Sequence, residues 1–350
     1  MRNMTTSHDI TGWERFQIVL RGQIPDRVPL IHTWGEHELF MQQVIASRGF
    51  SGTEEEKRLQ CRREVGLPIG LQVGWWSPLP RGRENVGGVN RYTQGALQVG
   101  SSLKLYENLG DLDLLRQECR HAVAASHRFG LGCRGNITNC FHAIATACGL
   151  EAFALAMYDE PDWVHEAMEQ AERYNRRGLE VMLEEGVDIV LFDGDCAYKT
   201  APMVAPDLLR RFWFDRTKRN VDLVKQAGKW AWYHTDGKVD DILPMLIEMG
   251  FDCFHGCEKA ANDLGHLKRK FGSRITLIGN VDNYELACWP AERIAAETAQ
   301  MLRQGAPGGR FAADVNTAMP QDAPLANYRA FHDTVMRLGR YNPDGTLQEL

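Results

Sequence analysis

Lys229-Trp-Ala-Trp-Tyr-His-Thr-Asp-Gly237 sets an apolar run directly against a polar turn. Four consecutive apolar residues suit a strand covered on both faces, as in a parallel sheet with helices packed against it. Residues 239–249 follow with helical spacing and stop at Gly250. His234 and Asp236 therefore stand at the C-terminal end of a strand, the rim at which parallel α/β folds bind ligands.

The same rhythm runs outward in both directions. Toward the C-terminus, Phe251–Phe254 leads to His255, Cys257 and Glu258, Ile275–Ile278 to Asn280 and Asp282, and Arg310–Ala313 to Asp314 and Asn316. Toward the N-terminus, Val187–Phe192 ends on Asp193-Gly-Asp195, Phe129–Asn136 on Asn136, and Leu67–Val73 runs into Trp75-Trp76. Arg27–Ile31 delivers His32, Trp34 and Glu36. Helices are expected over 13–21, 54–65, 161–186, 206–226, 262–271, 290–303 and 325–338, several opened by Pro and closed by Gly. Residues 77–110 instead alternate polar and apolar between glycines and prolines, the pattern of an inserted antiparallel hairpin, here expected to cover the barrel mouth. Eight strands alternating with helices predict one α/β domain over 1–350, a (β/α)8 TIM barrel, with a doubly wound open sheet as the alternative. Gly130, Gly132 and Gly135 spell G-x-G-x-x-G, but a dinucleotide loop should open a helix and precede a second strand, whereas 150–179 is mostly helical in pattern.

Composition bounds the function. The 350 residues are 44% hydrophobic and 25% charged, enough for a full core, with a formal net charge of -6 and no basic cluster. Neither a nucleic acid nor a membrane is an expected partner; a small molecule is. No signal-like leader and no spanning apolar run is read, so the expected location is cytoplasmic. The nine cysteines form no C-x-x-C pair and are expected to be reduced core residues.

Polar residues at the predicted strand ends, with Trp34, form the candidate site: His32, Trp34, Glu36, Asn136, Asp193, Asp195, His234, Asp236, His255, Cys257, Glu258, Asn280, Asp282, Asp314 and Asn316. Many carboxylates with a few imidazoles suit a divalent metal or general acid/base chemistry. His234, Asp236, Asp195 and Glu258 are the expected catalytic group. His234 and Asp236 could supply two metal ligands, completed by Cys257, Glu258 or Asp314; Asp282 and Asn316 equally suit helix caps. Trp34, Trp75 and Trp76 are expected to wall the pocket, with ordinary core packing as the competing reading.

The chain resembles the uroporphyrinogen decarboxylase superfamily, which includes corrinoid-dependent methyltransferases. The resemblance rests on Asp159-Glu-Pro161, Glu185-Gly-Val-Asp-Ile189 with Asp195, the Pro206 helix, His234-Thr-Asp-Gly237, Leu246-Ile-Glu-Met-Gly-Phe-Asp252, Leu267-Lys-Arg-Lys-Phe-Gly272, Gly279-Asn-Val-Asp282 and Ala306-Pro-Gly-Gly309. It implies a (β/α)8 barrel with a rim pocket. The decarboxylases' arginine cradle is replaced by Trp34-Gly-Glu-His-Glu38, and their Gly-His-Gly by Asp314-Val-Asn316. In the methyltransferase branch the resemblance implies zinc held by His-x-Cys and a later Cys; here His234 is kept and Asp236 replaces the first Cys, leaving Zn2+ or another divalent ion on harder ligands, or none. The activity implied is methyl transfer between a small methylated substrate and a corrinoid on a partner protein, with a homodimer as the implied assembly. A decarboxylating lyase and a non-enzymatic small-molecule binder are the alternatives.

Overall fold

β1 (Ile69–Trp75) precedes a two-stranded antiparallel hairpin, β2 (Arg83–Val86) and β3 (Val89–Tyr92); then come β4 (Gly132–Thr138), β5 (Ile189–Asp193), β6 (Trp230–His234), β7 (Cys253–His255), β8 (Thr276–Ile278) and β9 (Phe311–Ala312). This is a computed structural model, which describes residues 10–348 except 80–82, 87–88, 93–94, 96, 104–105 and 107–109. Apart from the hairpin, the strands form one parallel sheet in the order β1-β4-β5-β6-β7-β8-β9, and helices occupy the intervals between them.

Alternation along each strand shows that the sheet curls around an interior. Ile189 and Leu191 of β5, Trp232 of β6, Cys253 of β7, Ile278 of β8 and Ala312 of β9 share one buried cluster with Ile31 and Ile69. Their neighbours Val190, Phe192, Ala231, Tyr233 and Phe254 belong to a second cluster with the surrounding helices. The first cluster draws on every parallel strand but β4, and the two-residue period places Arg134 and Asn136 of β4 on that same face. Phe16, Val19 and Leu20 of the helix Gly12–Leu20 complete the cluster and plug the barrel.

The expected first strand is realised only as single bridges. Pro29 has no N–H to give to a ladder; its carbonyl accepts from Ala313, and Ile31 N–H donates to the Ala313 carbonyl, both at 2.8 Å. Among the described residues no backbone pairing joins this segment to β1. Side chains fill that seam instead: Arg134 donates to the Thr33 carbonyl at 2.9 Å and to Gln72, and Arg62 donates to the carbonyls of Ile69 and Gly70. The barrel wall is thus six parallel ladders, the bridges to the Pro29 segment, and a seam of guanidinium contacts.

Several expected elements differ in extent. The helix expected over 239–249 begins after a turn, at Leu243. The 206–226 helix is interrupted by a π-helical turn, Arg210–Phe214. Four helices went unread: Glu38–Arg48, Leu112–Arg128, Cys140–Cys148 and Asn283–Cys288. All nine cysteines are free, and eight are buried, Cys288 being exposed. The hairpin lies where residues 77–110 placed it, and the chain after it runs along the helix Cys140–Cys148, with Leu97 N–H donating to the Ala147 carbonyl at 3.0 Å.

The plug makes the barrel floor testable. Phe16 is fully buried, edge-on to Trp232 at 6.0 Å. Phe16→Ala should lower unfolding stability by about 3–5 kcal/mol in urea titrations, as large-to-small changes do in tight cores. A loss below about 1 kcal/mol would show that the helix merely rests on the barrel.

Candidate active site

Three strand ends line up because their ladders are in register. Asp193 pairs with His234, and His234 with His255. Each lies two residues beyond an interior residue, Leu191, Trp232 and Cys253, so all three face inward at the C-terminal rim. The loops beyond them are stitched together. His142 Nδ1 accepts from Asp195 N–H at 3.1 Å, Asp195 Oδ1 accepts from Asp236 N–H at 2.9 Å, and Glu258 Oε2 accepts from Gly237 N–H at 3.1 Å. Gly256 permits the closest approach: its φ is 105°, and a Cβ there would lie 2.0 Å from the Thr235 carbonyl oxygen.

The outcome is a compact donor set. One ligand atom each from Asp195, His234 and Asp236 lie within 4.8 Å of one another. His234 Nε2 is 3.9 Å from Asp236 Oδ1, and that oxygen is sealed from solvent without a hydrogen-bond partner, although the Asp236 side chain as a whole is 38% exposed. An orphaned carboxylate oxygen beside an imidazole and a second carboxylate fits a divalent cation of borderline or hard character. Asp195 thus joins His234 and Asp236 where Cys257, Glu258 or Asp314 was expected. Cys257 is buried, its thiol pushed up to about 12 by loss of hydration. Asp314 is fully buried and already engaged, one oxygen accepting from Thr33 N–H at 2.9 Å and Thr33 Oγ1 at 2.6 Å. Glu258 stands at the edge of the group, 3.6 Å from Lys199 Nζ.

A cleft of about 840 Å³ opens over Asp195, Asp236 and Glu258, walled by the helices Cys140–Cys148 and Leu150–Asp159 and by residues 197–203. That volume lies in the small-molecule range. Among the lining residues Glu151, Asp195, Asp236 and Glu258 are acidic and Lys199 alone is a lysine or arginine. His142 also lines it and was not singled out in the sequence, because it sits on a helix rather than at a strand end. The available signal was its place three residues beyond the capping Asn139, in the first turn of the helix that follows β4.

The remaining expected residues spread around the rim. Trp34 meets the site, edge-on to His234 at 5.6 Å. Trp75 does not: it is buried on the outer face, stacked on Tyr174 at 4.8 Å, and is therefore core packing and no pocket wall. Trp76 is exposed and lies outside the cleft lining. His32 is half-buried, its ring within 3.1 Å of the Tyr328 hydroxyl, and its imidazole is lowered to about 3 chiefly by loss of hydration. Glu36 pairs with Arg62. Asn136 donates to the Val73 carbonyl and Asn280 to that of Cys257, at 3.0 and 2.8 Å. Asp282 caps the helix Asn283–Cys288, and Asn316 binds it at 3.0 Å, so both act as cap residues here.

A plugged parallel barrel with its polar residues gathered at the C-terminal rim defines a TIM-barrel protein with a rim site. The chain belongs to the uroporphyrinogen decarboxylase family: the family model, Uroporphyrinogen decarboxylase (URO-D), matches residues 104–338. Among solved structures, a methyltransferase from Methanosarcina mazei superposes with a TM-score of 0.69 at 19% identity, over 94% of this chain and 99% of that one. A 3-keto-D-glucoside 4-epimerase from E. coli superposes less well, with a TM-score of 0.45 at 11% identity over 87% and 97%. No curated protein matches in sequence. No single helix among the described residues is long and apolar enough to cross a membrane.

The crowding of carboxylates predicts an unusual titration. Burial is the main cause that raises Asp236 from 3.8 to about 7; His234 opposes it, and the charges of Asp195, Glu258 and Asp193 add to it. Because the folded value lies above the unfolded one, Asp236 takes up a proton on folding; its contribution is complete below about 4 and is lost as pH rises toward 7. In metal-free protein, 13C NMR should place the Asp236 midpoint near 7. A midpoint near 4 would mean that the carboxyl is well hydrated.

Proposed function

We propose that this protein is a corrinoid-dependent methyltransferase that takes a methyl group from a small methylated substrate, with a divalent cation held by Asp195, His234 and Asp236. The observation that carries the reading is the meeting of those three side chains beside a cleft of small-molecule size that Asp195 and Asp236 line. Family membership and the methyltransferase barrel from Methanosarcina mazei support it. The corrinoid would arrive on a partner protein at the rim, and the enzyme would work in the cytoplasm.

A bound cation would supply Lewis acidity toward the heteroatom that loses the methyl group. The chain's own residues do the rest. His142 Nδ1 is occupied by accepting from Asp195 N–H, so in the neutral ring the proton is on Nε2. His142 thereby holds the Asp195 backbone in place at the edge of the cleft that both line. The apolar side chains of Leu150, Leu155 and Met203 take the substrate's carbon skeleton and limit water. The decarboxylase reading is disfavoured by charge: a carboxylate substrate would enter a cleft lined by four acidic side chains and one lysine.

The test uses the whole protein with free cob(I)alamin as acceptor and a panel of methylated amines, thiols and ethers, alongside elemental analysis of the purified protein. The wild type should transfer methyl from one class and carry about one divalent ion. His234→Ala should lose the ion and lower turnover by at least about 100-fold while the far-UV spectrum stays unchanged, since the residue stands on the rim. Full activity in that variant would place the site elsewhere.

A further inference from the structure

We propose that His255 is a positioning residue that fixes His234 as the Nδ1–H tautomer, so that the lone pair on His234 Nε2 is held toward Asp195 and Asp236. The argument starts at the buried end of the chain of contacts. His255 is fully buried, and its Nε2 lies 2.9 Å from the Val315 carbonyl oxygen and 3.5 Å from Asp314 Oδ2. Both neighbours are acceptors, so this nitrogen carries a proton. With that proton on Nε2, the neutral ring has no second hydrogen to place on Nδ1. His255 Nδ1 is then a lone pair.

That lone pair faces His234 Nδ1 at 2.8 Å. Two ring nitrogens at this separation share one hydrogen, and His255 has none to give there, so His234 Nδ1 donates. The rings are 31° from parallel with centroids 4.9 Å apart, in-register neighbours on β6 and β7. Trp34, edge-on to His234, packs against the same ring. The neutral His234 therefore has its lone pair on Nε2, the nitrogen 3.9 Å from Asp236 Oδ1. Tautomer fixing by a partner on the far nitrogen is what gives a histidine a defined ligand or base atom. The relay runs Val315 carbonyl, His255, His234, and ends at the donor set. Neither His255 nor the Val315 carbonyl touches the cleft.

The consequence for the cation rests on the function proposed above, but the tautomer itself does not. It is read in metal-free protein labelled with 15N-histidine, by two-bond nitrogen–carbon-proton correlation spectra at neutral pH. His234 is assigned by its loss in His234→Gln. The expected pattern is a protonated Nδ1 and an unprotonated Nε2 on His234, with the reverse on His255. A His234 ring protonated on Nε2, or a His255 ring protonated on both nitrogens, overturns the proposal. In a second arm, zinc alone is titrated into wild type, His255→Leu and His255→Asn, each checked for its fold by circular dichroism. Asn keeps an oxygen acceptor near the Nδ1 position, whereas Leu keeps none. His255→Leu should bind zinc about 10–100-fold more weakly, with His255→Asn recovering most of the loss. Equal affinity in a folded Leu variant overturns the positioning role. Absence of zinc binding by the wild type would sink the cation reading alone, and the tautomer spectra would then decide this proposal.

Discussion

The parallel register of β5, β6 and β7 is the constraint on which the site depends. It sets Asp193, His234 and His255 on one level, and the two-residue period turns all three toward the interior. A slip of one residue in β6 would send His234 into the helices and bring Tyr233, a core residue packed against Trp213 and Phe251, into the barrel. Register is protected by what it buries. Trp232, directly below His234, is fully buried in the interior, and its indole could not find equal cover on the other face.

The interior is graded from bottom to top. Near the plug it is apolar, with Phe16, Val19 and Leu20 in one cluster with Ile189, Leu191 and Cys253. Higher up, the Arg134 guanidinium lies over the rings of Trp232 and Trp34, at 5.2 and 5.3 Å, and burial lowers it to about 10. Above it come the imidazoles and carboxylates. Polar groups at that depth survive because most are satisfied in place: Asp314 by Thr33, His255 by Val315, Asn139 by the Gly194 carbonyl at 2.5 Å and the Tyr233 hydroxyl at 2.9 Å. The exceptions are informative. Asp236 Oδ1 has no partner, and it faces the place where the three donors meet.

Much of this was legible in the sequence, for a physical reason. Apolar runs that end in His-Thr-Asp-Gly or Asp-Gly-Asp report burial on both faces followed by a rim, and six of the eight expected strands sit at or within about two residues of where that pattern put them. What stayed hidden depended on other forces. The helix Leu112–Arg128 buries only Leu115, Cys119, Ala122 and Ser126, too thin and mixed a stripe to stand out. The first strand failed on the missing N–H of Pro29. Within the site, Asp195, His234 and Asp236 were all readable as catalytic candidates at strand ends, whereas the grouping of Asp195, in place of Cys257 or Asp314, with the other two depends on the loop contact between Asp236 N–H and Asp195, which no spacing rule encodes. Trp75 was misplaced for the same kind of reason: at the last position of β1 it points outward to Tyr174.

The seam beside Pro29 gives the barrel a direction of weakness. From β1 round to β9, neighbouring staves are joined by ladders of amide hydrogen bonds; between the Thr33 segment and β1, Arg134 and Arg62 make the polar contacts among the described residues. This junction therefore lacks the backbone ladder that joins the seven strands of the sheet, and its polar contacts are made by side chains. Trp34 and Glu36 ride on that stave, so the wall beside His234 is tied to β1 through side chains and not through its backbone.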